Sequence, residues 1–99
     1  MKIENMLSQN GNKVANQFKI FIGNNTYYFK SYSSIVAAVN TRTQKVELYG
    51  DFNYSSTTFR YLYQFLWELG RSDLSNRKKL QDAIKKGRVN VFHDSPKLF

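Results

Sequence analysis

Seven cationic side chains crowd into residues 71–88: Arg71, Arg77, Lys78, Lys79, Lys85, Lys86 and Arg88, opposed by Asp73 and Asp82. Seven positive charges less two negative leave +5 in this stretch, out of +8 for the whole chain. Ammonium and guanidinium groups gathered on one helix face can contact phosphates without reading bases. If about five phosphates are neutralised, the logarithm of the affinity falls with the logarithm of salt at a slope near −4 to −5. The plainer reading of the same residues is a solvated helix face that does no chemistry.

Aromatic rings form the second candidate. Tyr27-Tyr28-Phe29-Lys30-Ser31-Tyr32 and Arg60-Tyr61-Leu62-Tyr63 interleave rings with cations, and exposed rings on a strand can stack on unpaired bases. Neither segment has the glycine that the common RNA-binding sheet places within its aromatic run. Tyr61, Phe65 and Trp67 could instead anchor a protein partner, since Tyr and Trp are favoured at interface centres.

Other chemistries find little support. The one histidine, His93, lies near the end of the chain with no nucleophile beside it. No two acids share a helix face or a strand, so neither a two-carboxylate mechanism nor an oxygen-ligand metal cage is expected. The chain has no cysteine, which excludes disulfides and thiolate metal sites. Ser55-Ser56-Thr57-Thr58 lacks an activating base or a glycine-rich neighbour and reads as helix-capping sequence. The expectation is therefore a protein without catalytic residues, metal or cofactor. No apolar run is long enough to span a bilayer and no signal-peptide pattern opens the chain, so the expected location is the cytoplasm.

Ninety-nine residues fit one domain. Residues 1–16 read as a polar N-terminal segment with a turn at Ser8–Lys13. Gln17–Ile22 and Thr26–Tyr32 read as strands joined at Gly23-Asn24-Asn25, whose residues tolerate positive φ. Ser33-Ser34 mark a bend before Ile35–Val39, and Lys45–Tyr49 alternates as a further strand. Connections this short require antiparallel pairing. Gly50-Asp51 ends the sheet.

Ser55 or Ser56 then caps a first helix that Gly70 stops. On a helical wheel Arg60, Gln64 and Glu68 form a narrow polar stripe. Phe59, Leu62, Tyr63, Leu66 and Leu69 oppose it, flanked by Trp67 on one side and by Tyr61 and Phe65 on the other. That apolar arc is about twice the roughly 100° stripe of a surface helix and needs cover on more than one side. Ser72 or Ser75 caps a second helix ending at Gly87, with a thin apolar stripe of Leu80, Ala83 and Ile84. Arg88–Phe92 could return as an edge strand, and residues 93–99 read as a flexible tail. The expected fold is α+β: a small antiparallel meander of three to four strands packed by two C-terminal helices, in a single domain over residues 17–92.

Gly11-Asn12-Lys13-Val14-Ala15-Asn16-Gln17-Phe18, then Tyr28-Phe29-Lys30-Ser31-Tyr32-Ser33-Ser34-Ile35-Val36-Ala37, then Asn53-Tyr54-Ser55-Ser56-Thr57-Thr58 followed by Tyr61 and Gln64-Phe65-Leu66, make a set. In order and spacing it resembles a family of short proteins carried by phages, plasmids and other bacterial mobile elements, over residues 11–88. The family pattern often has an acidic segment after the Phe-Leu pair, where this chain has Trp67-Glu68-Leu69-Gly70-Arg71. The resemblance implies a mobile-element setting and supplies no mechanism. Together these readings lead to a basic accessory protein that binds nucleic acid through its second helix. The alternative is an inhibitor or modulator of an acidic host protein, such as a defence enzyme, acting through Tyr61, Phe65 and Trp67. A homodimer burying those rings is a third arrangement.

Overall fold

A computed structural model describes residues 1–50, 52 and 55–97. The expected sheet end at Asp51, the Asn53-Tyr54 part of the family pattern and the tail residues Leu98-Phe99 lie outside the described residues. The chain is α+β. Six strands form one sheet in the order of the sequence: β1 (Lys2–Leu7), β2 (Lys13–Gly23), β3 (Thr26–Ser31), β4 (Ser34–Asn40), β5 (Val46–Tyr49) and β6 (Asn90–Phe92). Two helices, α1 (Ser56–Glu68) and α2 (Arg77–Lys85), are joined through a 3₁₀ turn at Ser72–Leu74.

The expectation of three to four strands is therefore too low. The segment read as polar, residues 1–16, holds β1 and the start of β2, which pair antiparallel from Lys2 opposite Phe21 to Leu7 opposite Lys13. The first five strands form an antiparallel meander. Strand β6 departs from it, pairing parallel to β5 with Glu47 opposite Asn90 and Tyr49 opposite Phe92. A parallel return needs a long crossover, and the two helices between β5 and β6 supply it.

Local chemistry explains the joints. Asn24 and Asn25 both take positive φ, 53° and 60°, giving the β2–β3 hairpin the turn that matches strand twist. Ser55 caps α1 from an extended conformation, its hydroxyl accepting from the Thr58 backbone N–H at 3.1 Å. Gly70, at φ 80°, ends the helix and lets the Arg71 N–H reach back to the Leu66 carbonyl at 2.8 Å. Asn76, rather than Ser72 or Ser75, caps α2, because Ser72–Leu74 is taken up by the 3₁₀ turn whose Leu74 is buried.

Strand alternation divides the sheet into two faces. One face packs against the helices: Phe29, Ala37, Val39, Val46 and Leu48 join Leu62, Phe65, Leu66, Leu74 and Leu80 in the main core. Phe29 and Phe65 stack there with ring centres 5.6 Å apart. On the same face the buried Ser31 and Thr58 hydroxyls share a 2.9 Å hydrogen bond, fixing the start of α1 to β3. Beside them the fully buried Gln17 amide meets no hydrogen-bond partner among the described residues. On the opposite face Ile20, Ile35, Ala38 and Tyr49 make a second cluster with Phe18 and Tyr28 against it, and no helix lies over it among the described residues.

Candidate nucleic-acid interface

The second helix is short and depends on its cap. The Asn76 side chain accepts from the Lys79 N–H at 2.9 Å, and Leu80 and Ala83 are the residues it buries. At 100° per residue, Lys85, Lys78, Lys86 and Lys79 fall within an arc of about 120° on the side away from Leu80, Ala83 and Ile84. All four lysines are exposed. Asp82 lies inside the arc and pairs with Lys86 at 3.0 Å. The hydrogen bond from Lys86 holds the Asp82 carboxyl below its ordinary value, helped by the charges of Lys86, Arg88 and Lys85. Lys78, Lys79, Lys85 and Arg88 make no ion pair among the described residues.

The arc divides by helix end: Lys85 and Lys86 suit the negative C-terminal end of α2, whereas the lysines of its first turn do not. The first turn of α2 has no acidic residue and carries Lys78 and Lys79. Cations at the positive end of a helix dipole cost roughly 0.3–1 kcal/mol each. That cost is relieved when an anion is brought to the surface.

The remaining predicted cations are placed differently. Arg71 donates from Nε and Nη2 to the two Asp73 carboxylate oxygens, at 3.0 Å each, and from Nη1 to the Gln44 carbonyl. Its side chain is only 14% exposed, so it ties the turn after α1 to the β4–β5 loop and has little charge to offer a ligand. The Arg71 hydrogen bond keeps the Asp73 carboxyl below its usual range, with Arg71 and Arg88 charges adding to it. Arg77 lies with its guanidinium carbon 4.8 Å above the Phe59 ring centre. It also sits near the buried Tyr63 hydroxyl, whose pKa burial raises while Arg77 pulls it down; the two do not meet in hydrogen-bond geometry. Phe52, Phe59, Tyr63 and Arg77 line a small cleft of about 90 Å³ between the helices, so Arg77 is part of the helix–helix contact. Of the seven cations all but Arg71 are exposed; with Arg77 stacked on Phe59, five remain for a ligand, four on the arc and Arg88 just past the helix end.

The aromatic trio separates as well. Tyr61 and Phe65 belong to the core, at 7% and 0% exposure, and cannot serve as contact residues on the surface. Trp67, at 64%, is open. It is seven residues from exposed Arg60, which puts both on one stripe of α1. In Tyr27–Tyr32 the strand period does the sorting: Tyr27 and Phe29 face the helices, Tyr28 faces the other way, and Tyr32 sits in the β3–β4 turn.

On the uncovered sheet face Tyr28, already a candidate in the sequence, is joined by Phe18, Tyr49 and Phe92, which sequence reasoning passed over. Tyr49 and Phe92 are stacked at 5.7 Å. The signal was present in β2, where Phe18, Ile20 and Ile22 alternate with Gln17, Lys19 and Phe21, so both faces carry apolar bulk. His93 is exposed, and among the described residues no group of three His, Cys, Asp or Glu could hold a metal. No helix among them is long and apolar enough to cross a membrane.

The chain belongs to DUF8033, a family of unknown function, whose model matches residues 1–84. The matched span runs from β1 through most of α2, leaving Lys85, Lys86, Arg88 and β6 beyond it. No curated protein and no solved structure matches the chain.

Proposed function

We propose that this DUF8033 member is a small, basic, non-enzymatic accessory protein of a phage or other mobile element, acting in the bacterial cytoplasm and contacting nucleic acid through α2. The observation that carries the reading is the arc of Lys78, Lys79, Lys85 and Lys86 opposite the buried stripe of that helix, continued by Arg88. Such a surface neutralises phosphates and reads no bases, so binding is expected to be salt-dependent and tolerant of sequence. Fluorescence anisotropy against labelled duplex and single-stranded DNA and RNA tests it. Micromolar or tighter binding that weakens steeply with salt supports the reading, and no binding at low salt rejects it.

A second reading rests on Trp67. A tryptophan this exposed, with Arg60 on the same stripe, has the composition of an interface anchor. In that case the chain modulates an acidic host protein, such as a defence enzyme, from the outer face of α1. Trp67→Ala in a pull-down from host lysate, with circular dichroism to show the fold intact, separates the two: a partner lost with Trp67 and kept without the α2 lysines favours the second. Light scattering shows whether a second copy takes that surface instead.

A further inference from the structure

The uncovered sheet face ends in a pocket. Register places Asn5, Phe18, Lys30 and Ile35 side by side across β1 to β4, with Ile3, Ile20, Tyr28 and Ala38 in the next row. At one end of these rows Lys30, Ser33, Ser34 and Ile35 of the β3–β4 hairpin face Ser95, Pro96 and Lys97 from the segment after β6, around a space of about 280 Å³. Among the described residues two ammonium groups and three hydroxyls line it, and no carboxylate does.

Other concavities are built differently. The cleft between β1, β2 and the end of α1 sets Lys13 and Lys19 against Glu4 and Glu68, with Lys19 and Glu68 joined at 2.9 Å. The aromatic space between the helices already holds Arg77. The hairpin pocket has a net positive lining rich in hydroxyl donors, the composition that recognises a phosphate. Its volume of about 280 Å³ has room for a phosphate, whose attached groups can extend outside it along the sheet face.

What lies outside is aromatic. Phe18 is directly opposite Lys30 on β2, and Tyr28 precedes Lys30 by two residues on the same face of β3, a spacing of about 6.6 Å. Both rings are half-buried, and Phe92 at the far edge is exposed. A phosphate at Lys30 therefore has a π-face one strand away and another two residues back. Rings so placed take unpaired bases, whereas duplex bases are stacked within the helix and cannot reach them. The β3–β4 turn is itself unusual, since Tyr32 adopts φ 58°, a conformation that bulky residues rarely take. Strain of this kind concentrates at ligand sites.

We propose that this face binds single-stranded nucleic acid, with a backbone phosphate in the pocket of Lys30, Ser33, Ser34, Ser95 and Lys97 and bases against Phe18 and Tyr28. The proposal rests on the nucleic-acid reading above only for the identity of the polymer; its residues lie on the face of the sheet opposite the helices. The test uses the full chain, isotopically labelled, titrated separately with a short oligothymidylate, a matched duplex and thymidine 5′-monophosphate, alongside Lys30→Gln, Ser33→Asp and Lys78→Gln/Lys79→Gln. Ser33 is exposed in the turn, so Ser33→Asp puts a carboxylate at the pocket without disturbing the core.

The single strand is expected to shift the amides of Phe18, Tyr28, Lys30, Ser33 and Ser34. Lys30→Gln and Ser33→Asp should each weaken single-strand binding several-fold, Lys30→Gln lowering the salt slope by about 0.7, and leave duplex affinity unchanged. Shifts confined to α2, with both pocket variants silent, overturn this site while the α2 reading stands. Duplex binding absent altogether, with the pocket shifts intact, overturns the α2 reading and leaves this site standing. A mononucleotide that shifts these amides as strongly as the oligonucleotide, at equal phosphate concentration, overturns the assignment to a polymer.

Discussion

Replacing Lys78 and Lys79 together by glutamine should reduce duplex binding without loosening the fold. The arc and Arg88 offer five cations, one of which, Lys86, is shared with Asp82. Four to five phosphates at about 0.9 each give a log–log salt slope of about −3.6 to −4.5, or a 150- to 500-fold loss of affinity between roughly 50 and 200 mM salt. The double variant should flatten that slope by about 1.8. Its stability should hold or rise slightly, because both lysines sit at the positive end of the α2 dipole. Arg71→Gln is the matched control. It removes a positive charge of the same segment, yet Arg71 is bound to Asp73 and to the Gln44 carbonyl, so the slope should not change while stability falls by on the order of 1 kcal/mol. Anisotropy across a salt series and thermal unfolding, run on all three proteins, read both quantities. If Arg71→Gln flattens the slope as much as one arc lysine does, or the double variant leaves it untouched, the division of this segment into structural and ligand-facing cations is wrong.

Three further outcomes follow from the same geometry. Phe65→Ala should cost about 3–5 kcal/mol, a large share of the stability of a domain this size, whereas Trp67→Ala should barely move the urea midpoint, since Phe65 is fully buried and Trp67 open. Gln17→Met should stabilise by about 1–3 kcal/mol and raise Tm, because it replaces a fully buried amide that meets no partner among the described residues by an apolar chain of similar shape; an unchanged or lowered Tm would show that amide to be satisfied. Asp73 has its carboxyl held below the usual range by the Arg71 hydrogen bond, so its contribution is present at neutral pH and lost as pH falls through the folded value, below about pH 4. Acid unfolding of Arg71→Gln should therefore show a shallower pH dependence in that window than the parent chain, and an identical profile would remove Asp73 from the account.

Much of the fold could be read in the residues, and the failures have physical causes. The α+β class was legible as alternating strands followed by two helical periodicities, and the helix stops at Gly70 and Gly87 follow from glycine at the left-handed C′ position, where φ is 80° and 72°. Strand β1 escaped because Lys2, Glu4 and Asn5 make it polar, the way an edge strand is kept from pairing with other chains. Strand β6 was legible as an edge strand, but its parallel direction depends on where the crossover through both helices delivers the chain. The helical wheel of α1 gave directions without saying what would cover them: the wide apolar arc is core at Tyr61, Leu62, Phe65 and Leu66, and open at Trp67. The cations failed for the same reason. Arg71 looks like its neighbours in sequence, and its carbonyl partner Gln44 is 27 residues away.

The two faces of the sheet carry the deeper consequence. Packing beneath the helices accounts for Phe29, Val39 and Leu48, as in any two-layer α/β arrangement. It does not account for Ile20, which is fully buried on the face without a helix, shielded there with Ile35, Ala38, Tyr49, Phe18 and Tyr28. A sheet face meant only for solvent would alternate to polar residues at these positions, and β2 does not. The rings on that face protect the aliphatic residues between them and still leave part of their own surface to water. Stability and recognition are then served by the same side chains, which is why a substitution such as Tyr28→Ala confounds the two and a charge added at exposed Ser33 does not. The α2 arc has the opposite construction: its lysines contribute nothing to the core, and two of them oppose the helix dipole. Lys85 and Lys86 suit the negative end of that dipole, so an anion brought to the arc would relieve the helix chiefly at its first turn, beside Lys78 and Lys79.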